Sequence, residues 1–556
     1  MGQDVREVEW QFDALDLRPV VRWLGSPAAW LDGSGVRVAA VGTSSQADLY
    51  LDTDDQRFHR AGYALRIRRV GRRREAEATL KGLNTASQAE PGLRSRREVS
   101  ERLASADPAL LASAPGPVGE RLRAVAGRKR LLPLFEVRTR RQTFTVETDG
   151  AAPGEIALDE TAIRPADGGP PARFRRVEIE LAERSLPALG SFVEELRSAC
   201  GLQPAALSKY EAGLLSADIR APTPERFGST EIDPDATIGT VALAVLRRQF
   251  SVLLAKEPGT RLGDDIEELH DMRVASRRLR AALSLFREVL PAGTLELRDE
   301  LGWVGQQLGA VRDLDVQLEQ LEGWRAEVPE DDRDALAALR GLLEEQRAEA
   351  RAAMLEALDS RRYEAFVSRF GRTLRARHSR GSGPPALPAL AVAPDLIEGR
   401  WAAFRKDGRR IGPDSPAADY HRLRIRCKRL RYALEFLNDL YPGKARPVIK
   451  RLTSLQDLLG LHQDADVAIE RLRRLAGERG GKLQPETVFA MGEIAERHRR
   501  SMADLRAQFP RAYARLGGQR WKAFRELIEE QRPSSPPPAP PPPPEPLPET
   551  GPTGTE

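Results

Sequence analysis

With 556 residues, 41% of them apolar, the chain is too long for one ordinary domain and can bury two or three cores. Its 87 Lys+Arg nearly cancel its 82 Asp+Glu, so local clusters of charge, not net basicity, must carry any attraction for a partner. Two distant cysteines, Cys200 and Cys427, argue against a disulfide framework or a cysteine zinc site and fit a reducing cytoplasm. The opening MGQDVREVEWQF lacks a signal-peptide layout, and no run of about 18 apolar residues predicts a membrane span.

The first half alternates. RAGYALRIRRV, EAEATLKGL, FEVRTRRQTFTVET, GEIALDETAI and RFRRVEIELAE place like residues two apart, the strand period. Residues two apart share a face, so Glu7 and Glu9 point together with Gln11 after them. The same holds for Arg66 with Arg68, Thr79 with Lys81, Arg138 with Arg140, and Glu178 with Glu180, while Asp159 ends the strand EIALD. A charged face can simply be solvated. Alternatively, the strands close into a barrel with the charges inside, and the lumen then needs an anion for its Arg and Lys and a cation for its carboxylates. A triphosphate with Mg²⁺ or Mn²⁺ meets both needs, because guanidinium forks match phosphate oxygens and hard divalent ions prefer carboxylate oxygen.

VEWQF, then DLYLDTDDQRFHRAGYALRIRR, ATLKG, RREV, VRTRR, IALDE, VEIEL and SKYEAGL resemble, in order, the motifs of CYTH proteins, a family of triphosphate tunnel metalloenzymes. The resemblance covers roughly residues 3–216. It implies an antiparallel β-barrel in which Glu7, Glu9, Glu178 and Glu180, with Asp159, hold the metal and carry catalysis. It further implies that Arg66, Arg68, Lys81, Arg138, Arg140 and Lys209 bind phosphate. The implied activity is Mg²⁺- or Mn²⁺-dependent hydrolysis of inorganic triphosphate or a related compound. Two positions depart from the family pattern: Gln11 stands where the signature has Lys, and in RREVSERL Ser100 stands where a second acid often follows Glu98. They keep open an alternative, a non-catalytic polyphosphate-binding protein with a degenerate barrel site.

Residues 217–235, rich in Pro, Thr and charge, read as a linker, and 379–395 as a long loop. The rest of the second half carries the helix period of three and four. HDMRVASRRLRAALSLF from His270 recurs as HRLRIRCKRLRYALEFL from His421, and LGAVRDLDVQLEQL from Leu308 recurs as LGLHQDADVAIERL from Leu459. Both recur at the same offset, which marks a duplicated helical unit spanning 236–530, with repeats at about 240–378 and 395–530. At about 100° per residue, His270, Arg273, Arg277 and Arg280 fall within an arc of about 80° opposite an apolar back. His421, Arg424, Lys428 and Arg431 repeat that stripe. Solvated helices normally mix charge signs, so stripes this one-sided predict a linear polyanion held through phosphate oxygens. Asp313, Asp315, Asp464 and Asp466 are expected to orient the arginines or cap neighbouring helices.

This pattern resembles the CHAD domain, an all-α module associated with polyphosphate binding, and implies that the eight stripe residues are its ligands. The expected architecture is multi-domain α+β: a barrel followed by a helical bundle with an internal two-fold repeat. Expected partners are triphosphate and polyphosphate. Single-stranded nucleic acid is disfavoured because only Tyr432 offers a stacking ring within the basic helices, and no membrane partner is expected. The expected place is the cytoplasm, with polyphosphate granules as a site of association. The Pro-rich tail from 531 to 556 cannot build a core.

Overall fold

The computed structural model describes residues 3–26, 36–71, 74–83, 91–147, 154–181, 186–220, 224–291, 293–325, 333–375, 383–479 and 483–533. Nearly all of the Pro-rich tail lies outside them.

Eight antiparallel strands close into a barrel: β1 (Gln3–Ala14), β2 (Arg37–Asp52), β3 (Tyr63–Val70), β4 (Ala76–Gly82), β5 (Leu93–Leu103), β6 (Leu132–Glu147), β7 (Gly154–Pro165) and β8 (Ala172–Leu181). Their order is β5-β4-β3-β2-β6-β7-β8-β1, and the first half of β1 returns to β5 while its second half pairs with β8. A two-residue strand, β9 (Gln203–Pro204), adds beside the end of β1.

Helices decide which face turns inward. Trp10, Phe12, Ile156, Leu158, Val177 and Ile179 point outward into a core closed by α1 (Arg18–Leu24) and α5 (Leu186–Ala199). On the other flank Leu65, Ile67, Ala78, Leu80 and Val99 lie beneath α2 (Arg57–Arg60), α3 (Pro108–Ser113) and α4 (Pro117–Ala126). Each fully buried aliphatic side chain contributes about 1.5–3 kcal/mol, so the covered outer face offsets the cost of an interior full of charge. A reciprocal Ser208–Glu211 capping box starts α6 (Lys209–Ser216) and fixes Lys209 at its first turn.

The second half is helical: α7 (Ile238–Leu262), α8 (Ile266–Leu285), α9 (Glu296–Arg325), α10 (Arg333–Leu358), α11 (Arg361–Arg375), α12 (Ala389–Gly408), α13 (Ala417–Phe436), α14 (Arg446–Arg479), α15 (Pro485–Ala514) and α16 (Gln519–Glu530). The repeat offset extends to element boundaries, because α7 and α12 begin, and α8 and α13 begin and end, 151 residues apart. The second copy therefore starts at Ala389, inside the stretch expected to be loop; that expectation is corrected from residue 389 onward. The first helices of the two copies are joined at their starts, where Ile238 N–H donates to Leu387 O and Ala389 N–H to Ala236 O, both at 2.9 Å. By length and composition α7 could cross a membrane, but 61% of its most apolar stretch is buried within the bundle.

The halves dock. Asp264, at the turn after α7, accepts from Arg97 at 2.7 Å and from Tyr63 Oη at 3.1 Å, with Arg121 at 3.7 Å. Glu257 of α7 lies 3.5 Å from Arg57 of α2.

Candidate functional sites: a charged tunnel and a basic groove

The barrel encloses a cavity of about 180 Å³ lined by Glu7, Glu9, Arg66, Arg68, Lys81, Glu178, Glu180 and Lys209, as the sequence reading expects, together with Arg96, Glu98, Arg141 and Glu155. Strand registers explain the grouping. Glu9 faces Glu180 across β1 and β8, and Glu180 faces Glu155 across β8 and β7, so three carboxylates form one row.

Most of the cations are neutralised from within. Asp48, 1% exposed, takes both oxygens to Arg68 at 2.7 Å and lies 3.8 Å from Arg66. Burial opposes the charge on Asp48, but Arg68 and Arg66 hold its carboxyl down at about 2. Lys81 contacts Glu7 and sits 3.1 Å from Glu9 and 3.7 Å from Glu98. Burial works against the Lys81 ammonium, yet Glu9 and Glu7 raise it above its ordinary value. Lys209 pairs with Asp159 at 2.5 Å and Glu178 at 2.9 Å.

Arg138 and Arg140 are corrected. Both lie on the outer face of β6, with side chains 52% and 71% exposed. Arg141 points inward instead, donating to Asp159 at 2.7 Å and to Glu178 at 2.5 Å. The expected five-carboxylate set also splits. Asp159 is fully buried and, with Glu178, is engaged by Arg141 and Lys209, while Glu7, Glu9 and Glu180 make a second group; Glu155, opposite Glu180, lies 3.6 Å from Arg141.

That second group fits a hard divalent cation in its donor chemistry. Like charges set directly opposite one another destabilise a sheet, and burial together with Glu7 pushes Glu180 up to about 7. The fit is of charge rather than of coordinates: among the described residues no three carboxylate, His or Cys groups converge on one point, and Lys81 occupies the space between Glu7 and Glu9.

Arg96 escaped the sequence reading, although RSRREV carries its period-two spacing with Arg94 and Glu98. It is 7% exposed, forms no ion pair among the described residues, and leaves Nε and Nη2 buried without partners; Arg66 Nε is likewise unpartnered. Gln11 Nε2 donates to Glu9 at 2.9 Å, and its Oε1 finds no partner.

In the helical half, α8 and α13 bring their stripes together. Arg277 Nε donates to Tyr432 Oη at 3.1 Å across the helix pair. Asp313 lies 3.5 Å from Arg273 and Asp464 3.9 Å from Arg424, the same contact in each copy. Gly309 and Gly460 leave room for those guanidiniums: a Cβ there would sit 3.4 Å from Arg273 and 3.6 Å from Arg424. Burial, then Arg277, Arg424 and Arg273, push Lys428 down to about 6. Arg312, from α9, joins the cluster beside His270; burial and Arg312 lower the His270 imidazole.

The stripe is not uniform. His421 is exposed. Arg431 is taken by Gln456 at 2.8 Å and Glu435 at 2.7 Å. Of the aspartates, Asp315 holds Arg347 at 2.5 Å rather than a stripe residue.

Residues 25–213 match the CYTH domain model and 244–473 the CHAD domain model. Among solved structures, the CHAD domain from the plant Ricinus communis is 30% identical, over 54% of this chain and 93% of that one, with a TM-score of 0.40. PptA from Streptomyces chartreusis is 22% identical over 50% and 100%, TM-score 0.42. HpAC1 from Hippeastrum, described as having a dominant triphosphatase activity, is 19% identical over 37% and 93%, TM-score 0.28. No curated protein matches the chain.

Proposed function

The chain belongs to the proteins in which a CYTH domain, the triphosphate tunnel fold, is followed by a CHAD domain, and from that premise we propose that its tunnel hydrolyses inorganic triphosphate with a divalent cation while its helical half binds polyphosphate. The observation that carries the reading is Arg96: a guanidinium in the tunnel wall, with two buried N–H groups unsatisfied, costs free energy unless an anion completes it. A triphosphate is the anion whose oxygens Arg96, Arg66 and Lys81 can share.

Glu7, Glu9 and Glu180 would hold the cation, which supplies charge neutralisation and polarises water. The chain's own residues do the rest. Asp48 fixes the plane of Arg68 and lies 3.8 Å from Arg66, so Arg68 would cost little reorganisation when the phosphoryl group develops charge. With Glu7 and Glu9 holding a cation, Lys81 would be free to pair with a phosphate oxygen instead of these carboxylates. Arg141 and Lys209 keep Asp159 and Glu178 neutralised and so preserve the far wall.

Purified protein incubated with tripolyphosphate and Mg²⁺ or Mn²⁺ should release phosphate, and Glu7→Ala with Glu9→Ala should abolish release. A second reading, binding without turnover, is favoured by one contact. Gln11 spends its amide on Glu9 and adds no positive charge where the family signature has Lys. No release by the native chain but release by Gln11→Lys selects that reading.

A further inference from the structure

The internal repeat breaks its symmetry at one place, and the break concerns charge. In one half, Arg278 is neutralised and covered on several sides. It contacts Glu435, donates to Gln249 Oε1 at 2.9 Å, and stacks on Tyr432 with 5.1 Å to the ring centroid. The same Glu435 also neutralises Arg431, which Gln456 holds from the other side. One carboxylate and two amides thus silence two arginines.

Shifting each of these positions by the repeat offset gives the other half. Arg278 becomes Arg429 and Arg431 becomes Arg280. Glu435 becomes Ser284, Tyr432 becomes Ala281, Gln456 becomes Gly305, and Gln249 becomes Arg400. Every neutralising partner is missing, and one amide is replaced by a third guanidinium. Arg298, from the first turns of α9, adds a fourth. Among the described residues Arg280, Arg298, Arg400 and Arg429 form no ion pair, and all but Arg280 are half-buried. Arg400 donates to Ser284 O at 2.9 Å. Burial and then Arg426, Arg298 and Arg280 lower the Arg429 guanidinium, as expected where like charges crowd without a counterion.

We propose that Arg280, Arg298, Arg400 and Arg429 form a second, one-sided anion site on the helical half, which takes a phosphate group. The small pocket among Ala281, Ser284, Arg400, Arg429 and Tyr432 has a volume of about 10 Å³, room for one water. The phosphate therefore sits at its mouth, on the guanidinium forks. Tyr432 lines this pocket and also accepts from Arg277 of the basic groove, so the two sites are adjacent. Four positive charges suit either free orthophosphate or a phosphate unit of a polyphosphate chain whose remainder lies in the groove. In the latter case the proposal rests on the polyphosphate reading above.

The repeat supplies its own test. Ser284→Glu installs the carboxylate that the other copy already has and should close the site without disturbing the fold. Orthophosphate and long-chain polyphosphate are titrated separately into the full-length protein by calorimetry, for the native chain, S284E, R429Q and the groove variant R273Q/K428Q. S284E is expected to raise the melting temperature. S284E and R429Q should each weaken at least one of the two ligands tenfold or more, and phosphate release from tripolyphosphate should be unchanged. Loss for orthophosphate identifies a free-ion site, and loss for polyphosphate alone identifies an extension of the groove. Native affinity for both ligands in both S284E and R429Q overturns the proposal. R273Q/K428Q tests the groove reading separately, because it leaves Ser284 and Arg429 intact.

Discussion

If the groove binds polyphosphate as proposed, Lys428 makes that binding a proton-uptake reaction. Burial, then Arg277 from α8, Arg424 from its own helix and Arg273 from α8, hold its folded-state value at about 6, against a smaller opposing pull from Asp464 of α14. The free protein above neutral pH therefore carries Lys428 largely without a proton. A polyphosphate laid along the groove supplies the missing counter-charge and returns the group to an ordinary ammonium, which titrates near ~10.4. Binding then takes up one proton per groove, and raising the pH opposes it, by about tenfold per unit. Between pH 7 and pH 9 the affinity should fall by close to a hundredfold, about 2.7 kcal/mol. His270, whose value is also lowered, titrates below this window. Calorimetry in buffers of different ionisation enthalpy measures the proton directly. Lys428→Arg, which stays charged throughout, should bind with a nearly flat profile over the same range. An unchanged native affinity from pH 7 to 9, or the same slope in Lys428→Arg, would refute the argument.

Four further outcomes follow from the barrel and the helix packed on it. Lys81→Met leaves Glu7 and Glu9 buried without their cation and should cost about 3–5 kcal/mol in urea unfolding, with millimolar Mg²⁺ restoring part of the loss. Arg138→Gln/Arg140→Gln, on the outer face, should change stability by less than about 0.5 kcal/mol and leave phosphate release intact. Arg96→Gln should instead weaken tripolyphosphate about ten- to a hundredfold, the worth of one charged hydrogen-bonding group. Gly213→Ala would set a Cβ 2.1 Å from the Phe135 ring, and the melting temperature should drop by the equivalent of about 1–3 kcal/mol.

The barrel was legible because its alternation is strict, and the seven charges read as inward on β1, β3, β4 and β8 do line the cavity. β6 misled because its inner face changes character along its length. Phe135 and Val137 share that face with Thr139 and Arg141 and pack against Tyr50 and Tyr210 at one end of the tunnel. Phe144 and Val146 lie on the other face and are buried under helices. A rule of charged inside and apolar outside therefore picks the wrong parity in VRTRR, where consecutive arginines occupy both faces. The second helical copy was legible from its repeated motif, but its start at Ala389 was hidden by prolines: Pro388 is the N-cap and Pro394 lies within the helix. What no pattern exposes is pairing. Arg431 and Arg280 occupy equivalent stripe positions, yet Glu435 neutralises one and Ser284 leaves the other open.

Pairing also separates the two halves physically. In the tunnel Arg66, Arg68, Lys81, Arg141 and Lys209 each meet a carboxylate within 4 Å, so an incoming anion must compete with groups already in place. A divalent cation held by Glu7 and Glu9, as proposed, would free Lys81, and anion and cation would then assist each other's binding. In the groove, among the described residues, Lys428 lacks any acid within ion-pair distance, and Arg273 and Arg424 meet Asp313 and Asp464 only at 3.5 and 3.9 Å. An anion there adds charge to an unbalanced cluster and needs no accompanying metal. Removing divalent ions with a chelator should accordingly abolish tripolyphosphate binding by the barrel while leaving polyphosphate on the helices. Free divalent ions should if anything weaken the latter, because they compete for the polyanion. If both interactions are lost together on chelation, the difference in pairing is not what governs them.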